Sequence, residues 1–390
     1  MISVNEALEK IFQLLSSLAS ETVPLSAACG RSLAKPARAN RDQPPFAASV
    51  MDGYAVNGVE VEDDVMFKVI GESAAGHRFD GTVKAGQAVR IFTGAPLPKG
   101  TSRVIMQEDV TRKGDLITLG RNLDPNPYTR PAGADFKAGD QLDAPRLLTP
   151  SDIALLASMN IPEVSVSRRP VVALMATGDE LVMPGDDPGP DQIIASNNFG
   201  LMALLQQHGA EARMLPIARD NKASLEAAFA QCAGADLIVT IGGASVGDHD
   251  LVAQVATDLG LERAFYKIAM RPGKPLMAGK INGIPMIGLP GNPVSSMVCG
   301  HVFLLPALRV MQGFAATAQP RQHARLTHDM PANGVREHYM RARVQGDEIT
   351  VFPRQDSALL TVLADANALL VRDPNAPEVK AGQSLPYIRL

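Results

Sequence analysis

Between residues 170 and 314 the chain repeats one pattern, an apolar run of strand length followed by a stretch of helical length. The apolar runs fall at 171–175, 213–217, 236–241, 264–269 and 285–289, and the helical segments at 196–208, 222–232, 249–259 and 294–311. A strand that is apolar without alternation is buried on both faces, and strands alternating with helices pair in parallel. The pattern therefore predicts a doubly wound α/β domain with a parallel sheet. Such sheets bind ligands beyond the carboxyl ends of their strands, so the loops that follow these runs are where chemistry is expected.

The flanks read differently. Ser3 and Glu6 form a capping box, and Ala7, Ile11, Leu14, Leu15 and Leu18 recur at helical spacing, which predicts an amphipathic helix over 4–19. An extended Pro/Arg-rich stretch follows at 33–46. Within 47–135, strand-length runs at 67–70, 88–92, 103–106 and 116–119 are separated by Gly, Pro and Asp turns, as in a small β domain. Pro150-Ser151-Asp152 caps a second helix over 153–159. The tail, 317–390, returns to short strands at 339–345, 348–352 and 368–372. One turn recurs as Lys84-Ala85-Gly86-Gln87, Lys137-Ala138-Gly139-Asp140 and Lys380-Ala381-Gly382-Gln383. The flanks of the three copies do not match, so this reads as one solution for entering a strand, used repeatedly.

Composition removes several classes of function. The net charge of −4 leaves no large basic surface, so nucleic acid is not an expected partner. Any anionic ligand must be held by a few placed Lys and Arg. The three cysteines, Cys29, Cys232 and Cys299, are far apart and form no Cys-x-x-Cys pair, which argues against a disulfide framework or zinc site and fits a reducing cytoplasm. The N-terminal stretch is acidic and lacks the apolar core of a signal peptide, and no apolar run approaches membrane-spanning length. No membrane is expected.

The loops after the apolar runs are unusual together. Gly242-Gly243-Ala244-Ser245-Val246-Gly247-Asp248-His249-Asp250 follows one run; its glycines allow close backbone approach, and free N–H groups at a helix start cradle an anion. Asp248 or Asp250 then stands where Mg²⁺ would meet the same phosphate; His249 reads as a surface or helix-start residue. A second loop, Met270-Arg271-Pro272-Gly273-Lys274-Pro275, with Lys267 before it, is rigid and cationic and suits an oxyanion. A third, Leu289-Pro290-Gly291-Asn292-Pro293-Val294-Ser295, opens a helix with Pro at its first turn. A fourth, Thr177-Gly178-Asp179-Glu180, places carboxylates on the same rim, as does Asp220. One polar loop is commonplace and is explained by helix capping or a solvated turn; four on one rim outline a pocket for a phosphorylated ligand and a metal ion. Read alone, Asp52 is a turn residue and 93–98 a loop.

Five of these stretches together resemble the molybdopterin molybdenumtransferase family, the MoeA proteins and the gephyrin E domain. They are Ser49-Val50-Met51-Asp52-Gly53-Tyr54-Ala55, Thr93-Gly94-Ala95-Pro96, Gly242 to Asp248, Pro272-Gly273-Lys274-Pro275 and Leu289 to Ser295, in the family's order and across most of the chain. The resemblance implies four domains. These are an elongated dimerisation domain in two segments (1–46 and 136–169), an inserted β domain (47–135), an α/β domain like the molybdopterin adenylyltransferases (170–316) and a C-terminal β-barrel (317–390). It implies a homodimer with a shared active-site cleft, and a Mg²⁺-dependent reaction in which adenylylated molybdopterin takes up molybdate and releases AMP. Glu180, Asp220, Asp248 and Asp52 match the family's acidic positions, with Asp220 and Asp248 serving the metal or substrate and Asp52 coming from the neighbouring subunit. Thr93, Arg130, Gly242, Gly243, Ser245, Lys267, Arg271, Lys274, Pro290, Pro293, Ser295, Arg336, Arg341 and Ser357 match or are assigned to substrate binding. Molybdopterin adenylyltransferase and molybdoenzyme-maturation proteins are the partners implied. Four positions depart from the family pattern: Ala47 for Asp, Ala244 for Val, Arg271 for Lys, and Gln355-Asp356-Ser357-Ala358 where Gly-Ser-Gly is usual. Two other functions compete, adenylyl transfer onto molybdopterin and a non-catalytic scaffold that docks a partner peptide.

Overall fold

The structure is a computed structural model and describes residues 1–243 and 251–390. The chain divides into two compact units, Met1–Glu21 with Val166–Leu390, and Thr22–Ser165.

The first unit is built on a six-stranded sheet. Its strands are β1 (Val171–Ala176), β2 (Glu211–Met214), β3 (Leu237–Ile241), β4 (Glu262–Tyr266), β5 (Met277–Ile281) and β6 (Ile284–Leu289), in the order β2-β1-β3-β6-β5-β4. The expected parallel pairing holds for β2, β1, β3 and β6. It fails at β5, which the periodicity did not reveal and which is antiparallel to both β6 and β4. The cause is local. Ile281 pairs with Ile284 across Asn282-Gly283, whose φ values of 51° and 81° make the two-residue turn that closes a tight hairpin. Two reversals return β4 to the common direction, so β1, β3, β6 and β4 all end on one rim.

Helices cover both faces. On one side lie α1 (Val4–Leu14), α2 (Asn197–Gln207) and the run Pro293–Met311; on the other, α3 (Lys222–Ala230) and α4 (Leu251–Asp258). The capping box of Ser3 and Glu6 is present. The helix stops at Leu14 because Leu15 turns extended, and the Leu18 N–H instead bonds to Met311 O at 2.8 Å. Val4, Ala7, Leu8 and Ile11 are buried in the core shared with the α/β sheet.

Contrary to the sequence reading, Pro293–Met311 is long and apolar enough to cross a membrane. Most of it is buried inside the protein, so its apolarity serves the core. A π-turn, Gly300–Leu304, joins its two α-helical parts. There Gly300 lets α2 approach: a Cβ would stand 2.9 Å from Leu201 Cδ2 and 3.0 Å from Leu204 Cδ2.

The C-terminal strands close into a five-stranded barrel. The order Glu337–Gln345, Glu348–Val351, Gln322–Leu326, Ser384–Arg389, Ala368–Arg372 returns to the first strand through a further pairing. Closure leaves no open edge among these five. Met270–Arg271 adds outside it, parallel to Glu337-His338.

The second unit holds a six-stranded sheet, Arg103–Met106, Gly53–Val56, Gln87–Ile91, Met66–Ser73, Leu116–Leu119 and Val110–Lys113 in spatial order, with Tyr54, Phe67, Ile105 and Ile117 in its core. The helix Pro150–Ser158 is capped one residue earlier than expected, by Thr149, with Asp152 completing the box.

The recurring Lys-Ala-Gly turn is one structure three times over. In each copy the glycine has positive φ, and the fourth residue's side chain accepts from the lysine N–H, at 2.9 Å from Gln87, 2.8 Å from Asp140 and 2.8 Å from Gln383.

Candidate functional site

Where β1, β3 and β6 end, the first unit opens into a cleft of about 990 Å³. Thr177, Gly178 and Glu180 line it after β1, Gly242 and Gly243 after β3, and Pro290, Gly291, Asn292 and Pro293 after β6. Asp220 and the first turn of α2 complete the polar part. Leu181, Ile193 and Ile194 form an apolar wall from a short parallel ribbon, with Ile193 58% exposed.

The two glycines are required where they stand. Gly242 and Gly243 have φ of 90° and 66°, a conformation that L side chains avoid. A Cβ at Gly242 would lie 2.8 Å from Thr177 O, and one at Gly243 2.9 Å from Val252 Cβ. Directly after β3, Gly242 and Gly243 thus bare their backbone to the cleft, and backbone free of side chains suits an anion.

The opposite side is acidic. Arg219 Nη1 donates to Asp179 O at 3.0 Å and Leu181 O at 3.1 Å, which sets the path of the loop that carries Glu180. Asp220 N donates to Asp179 Oδ1 at 3.1 Å. Partial burial and the nearby Asp179 and Glu180 carboxylates hold the Asp220 carboxyl above its usual range, against the Asp179 N–H and Arg219. Crowded carboxylate oxygens of this kind are what a hard divalent cation relieves. Among the described residues no three metal-binding side chains converge on one point.

Asn198 faces the cleft without any signal the sequence reading used, and Thr177, read before only as part of its loop, shares its situation. Asn198 is 1% exposed, and neither its Nδ2 nor its Oδ1 has a partner; Thr177 Oγ1 is likewise buried and unpartnered. Buried polar atoms are nearly always paired; these stand unpaired in the wall of the cleft. Asn198 follows Ser196-Asn197 at a helix start, the one clue available beforehand.

The cationic residues form a second group beside the cleft. Pro275 and Ala358 line its wall, and next to them stand Arg271 and Lys274, both exposed. Arg336 Nη1 donates to Met270 O at 3.4 Å. Arg341 is fully buried; its Nη2 donates to Asp356 O at 2.9 Å while Nε and Nη1 have no partner. Asn292 Nδ2 donates to Ser357 Oγ at 3.3 Å, and Val294 N to Ser357 O at 3.0 Å, so Ser357 reaches the cleft's rim. The Asp356 carboxylate is spent on the Ala358 N–H of its own turn (2.8 Å). Lys267 sits with its ammonium 5.0 Å from the centre of the Tyr266 ring, and Ser295 is buried outside the cleft's lining. Ser245, Asp248, His249 and Asp250 lie outside the described residues.

The second unit brings Asp52 and Thr93 together. Asp52 Oδ1 accepts from both Thr93 N and Thr93 Oγ1 at 2.7 Å. These bonds, with Arg90 nearby, hold the carboxyl below its usual range. Arg130 is exposed on a two-residue strand paired with Ala48–Ser49. Gly53 is explained by packing, because a Cβ there would collide with Ile105 O of the paired strand.

A doubly wound sheet with a glycine loop and crowded carboxylates at one rim defines a class: α/β proteins whose ligand site lies beyond their strand ends. Comparison with known proteins narrows it. Residues 2–160 match the MoeA N-terminal region (domain I and II), 173–310 the "Probable molybdopterin binding domain" and 323–390 the MoeA C-terminal region (domain IV). The chain is 36% identical to the molybdopterin molybdenumtransferase of Nostoc sp., over all of this chain and 94% of that one. It is 35% identical to that of Haemophilus influenzae, over 99% and 98%. A crystal structure of a molybdopterin biosynthesis MoeA protein from Pyrococcus horikosii, 30% identical, superposes with a TM-score of 0.82 over 100% of this chain and 99% of the other. The chain belongs to the molybdopterin molybdenumtransferase family.

Proposed function

We propose that this protein is a molybdenumtransferase of molybdenum cofactor biosynthesis. In this reading it takes adenylylated molybdopterin, joins molybdate to the dithiolene sulfurs and releases AMP. The observation that carries the proposal is the division of charge around one cleft, with bared glycine backbone and carboxylates on the sheet rim and, beside it, the exposed Arg271 and Lys274 and the buried, incompletely partnered Arg341. A pyrophosphate and a second oxyanion need such a pair of neighbouring subsites.

Gly242, Gly243 and Ser245 hold the phosphates by backbone and hydroxyl groups, and Pro290 and Pro293 shape the facing turn. Lys267, Arg271, Lys274, Ser295, Arg336, Arg341 and Ser357 serve the anions. Asp220 and Asp248 would hold Mg²⁺, which would neutralise charge on the bridging phosphates; the raised carboxyl of Asp220 fits that role. Phosphoanhydride cleavage is mainly positioning and charge neutralisation, so Glu180 and Asp220 orient water and substrate without a covalent nucleophile.

The four-part division into 1–46 with 136–169, 47–135, 170–316 and 317–390 belongs to this proposal. So does a homodimer in which Asp52, Thr93 and Arg130 of one subunit complete the cleft of the other. A cytoplasmic location is consistent with the three free thiols. Molybdopterin adenylyltransferase would supply the substrate, and molybdoenzyme-maturation proteins would receive the product.

The test is AMP release from adenylylated molybdopterin by the purified protein. Release that requires Mg²⁺ and molybdate, and that falls at least 100-fold in Asp220→Asn and Asp248→Asn, is expected. Incorporation of nucleotide in place of its release would mean adenylyl transfer. A folded protein that does neither would be a docking scaffold.

A further inference from the structure

The barrel-side cations surround a histidine. Strand register sets Arg271 opposite His338 in the parallel pair and Arg372 opposite His338 in the antiparallel pair. Residues paired across strands share a face of the sheet, so the three side chains form a row, Arg271–His338–Arg372. Arg336 lies two residues before His338, and Arg341 three residues after it.

His338 is 7% exposed and its Nε2 has no partner. Burial first, then Arg271, Arg341, Arg336 and Arg372, push the imidazole down to about 4, so it is neutral at ordinary pH. No carboxylate is among the groups that act on the ring itself, although Asp356 partly offsets Arg341 and Asp373 partly offsets Arg372. Glu337 binds Arg321 and the Tyr339 hydroxyl, Asp373 stands 3.8 Å from Arg321, and Asp356 is held in its own turn. Arg372 is anchored on the carbonyls of Pro331, Ala376 and Pro377. Two N–H-bearing nitrogens of the buried Arg341 remain unpartnered.

A buried guanidinium with two unpartnered nitrogens, acting on a buried imidazole whose Nε2 is also unpartnered, is unfavourable unless something negative joins them. A tetrahedral oxyanion supplies acceptors for Arg341 Nε and Nη1 and for an imidazole N–H. Its charge also reverses the field at the ring. With both nitrogens protonated the imidazole becomes a pure donor. The exposed Arg271 and half-buried Arg336 are the groups that would swing to admit it.

We propose that His338 is a further ligand of the oxyanion, molybdate in the reaction above, and that it takes up one proton as the anion binds. This rests on the reading that the barrel-side cations receive an oxyanion.

Calorimetric titration of the whole protein with sodium sulfate and with sodium molybdate tests it, from pH 5.5 to 8.0 in two buffers of different ionisation enthalpy. Sulfate does not titrate in this range. Both anions are expected to bind with uptake of close to one proton near pH 6.5, and to bind about tenfold more tightly per pH unit of acidification. His338→Gln should bind without proton uptake and with little pH dependence. Wild-type binding that is flat with pH, or pH dependence kept in His338→Gln, overturns the proposal and leaves the anion site standing. Absence of binding to the wild type, or binding unchanged by Arg271→Met, overturns the anion site and the proposal with it. Should His338→Gln not fold, the His338 imidazole is followed by NMR in the wild type at pH 6.5. A ring that stays neutral in saturating sulfate refutes proton uptake.

Discussion

Gly243→Ala tests the glycine loop by a collision that can be worked out in advance. The backbone there has φ of 66°, in the left-handed region. An alanine in that region is disfavoured by about 1–2 kcal/mol. Its Cβ would also stand 2.9 Å from Val252 Cβ, closer still to Val252 Cγ2, and 3.1 Å from Thr177 Oγ1. Val252 is 1% exposed, in the first turn of α4, and cannot swing aside. Forcing a methyl into a packed site costs about 1–3 kcal/mol. The sum is about 2–5 kcal/mol, read as a lowered urea midpoint. Gly291→Ala, in the facing loop, is the control: its Cβ would meet only Gly242 Cα, at 3.4 Å, so a change within about 0.5 kcal/mol is expected. In the double variant Gly243→Ala/Val252→Ala the removed Cγ2 relieves part of the clash, and the two changes should be less than additive by about 1 kcal/mol. A Gly243→Ala protein as stable as wild type, or strict additivity, would refute the steric account.

Other consequences follow from the same geometry. Asn198→Leu removes two unpartnered buried atoms, so thermal unfolding should be unchanged or shifted upward while binding of adenylylated molybdopterin weakens at least tenfold; loss of stability would mean the amide is structural. Gly53→Ala drives a methyl into the Ile105 carbonyl of the paired strand, which cannot yield, and should cost roughly 3 kcal/mol or more by calorimetric unfolding. Burial lowers both His301 and His338 to about 4, so between that value and the ordinary 6.5 the unfolded chain binds more protons than the folded one. Stability should therefore be full above pH 6.5 and fall on acidification by up to about 3 kcal/mol per histidine, levelling near pH 4. Urea midpoints from pH 8 to 4.5 check this, and His301→Gln should flatten part of the slope.

The strand–helix alternation was legible because burial on two faces writes itself into each strand locally. From that alternation came the sheet, its rim and the loops after β1, β3 and β6 that line the cleft. Capping at Ser3 and Glu6 was legible for the same reason, since donor and acceptor lie three residues apart. The hairpin that reverses β5 was also written locally, in Asn282-Gly283 between apolar flanks, but the short run hid it.

Other features depended on register between distant segments. Arg271, His338 and Arg372 come from three separate stretches, and only barrel closure puts them in one row. No local pattern distinguishes such a histidine from a surface one. Likewise Asn198 and Arg341 are polar residues of ordinary appearance until packing buries the Asn198 amide without partners and leaves two Arg341 nitrogens unpartnered. Sequence by itself determined which elements form and which loops share an edge, because those follow from short-range periodicity and turn geometry. Tertiary structure alone decided which charges meet and which polar atoms go unpaired, because both depend on long-range pairing and on the loss of water around groups far apart in the chain.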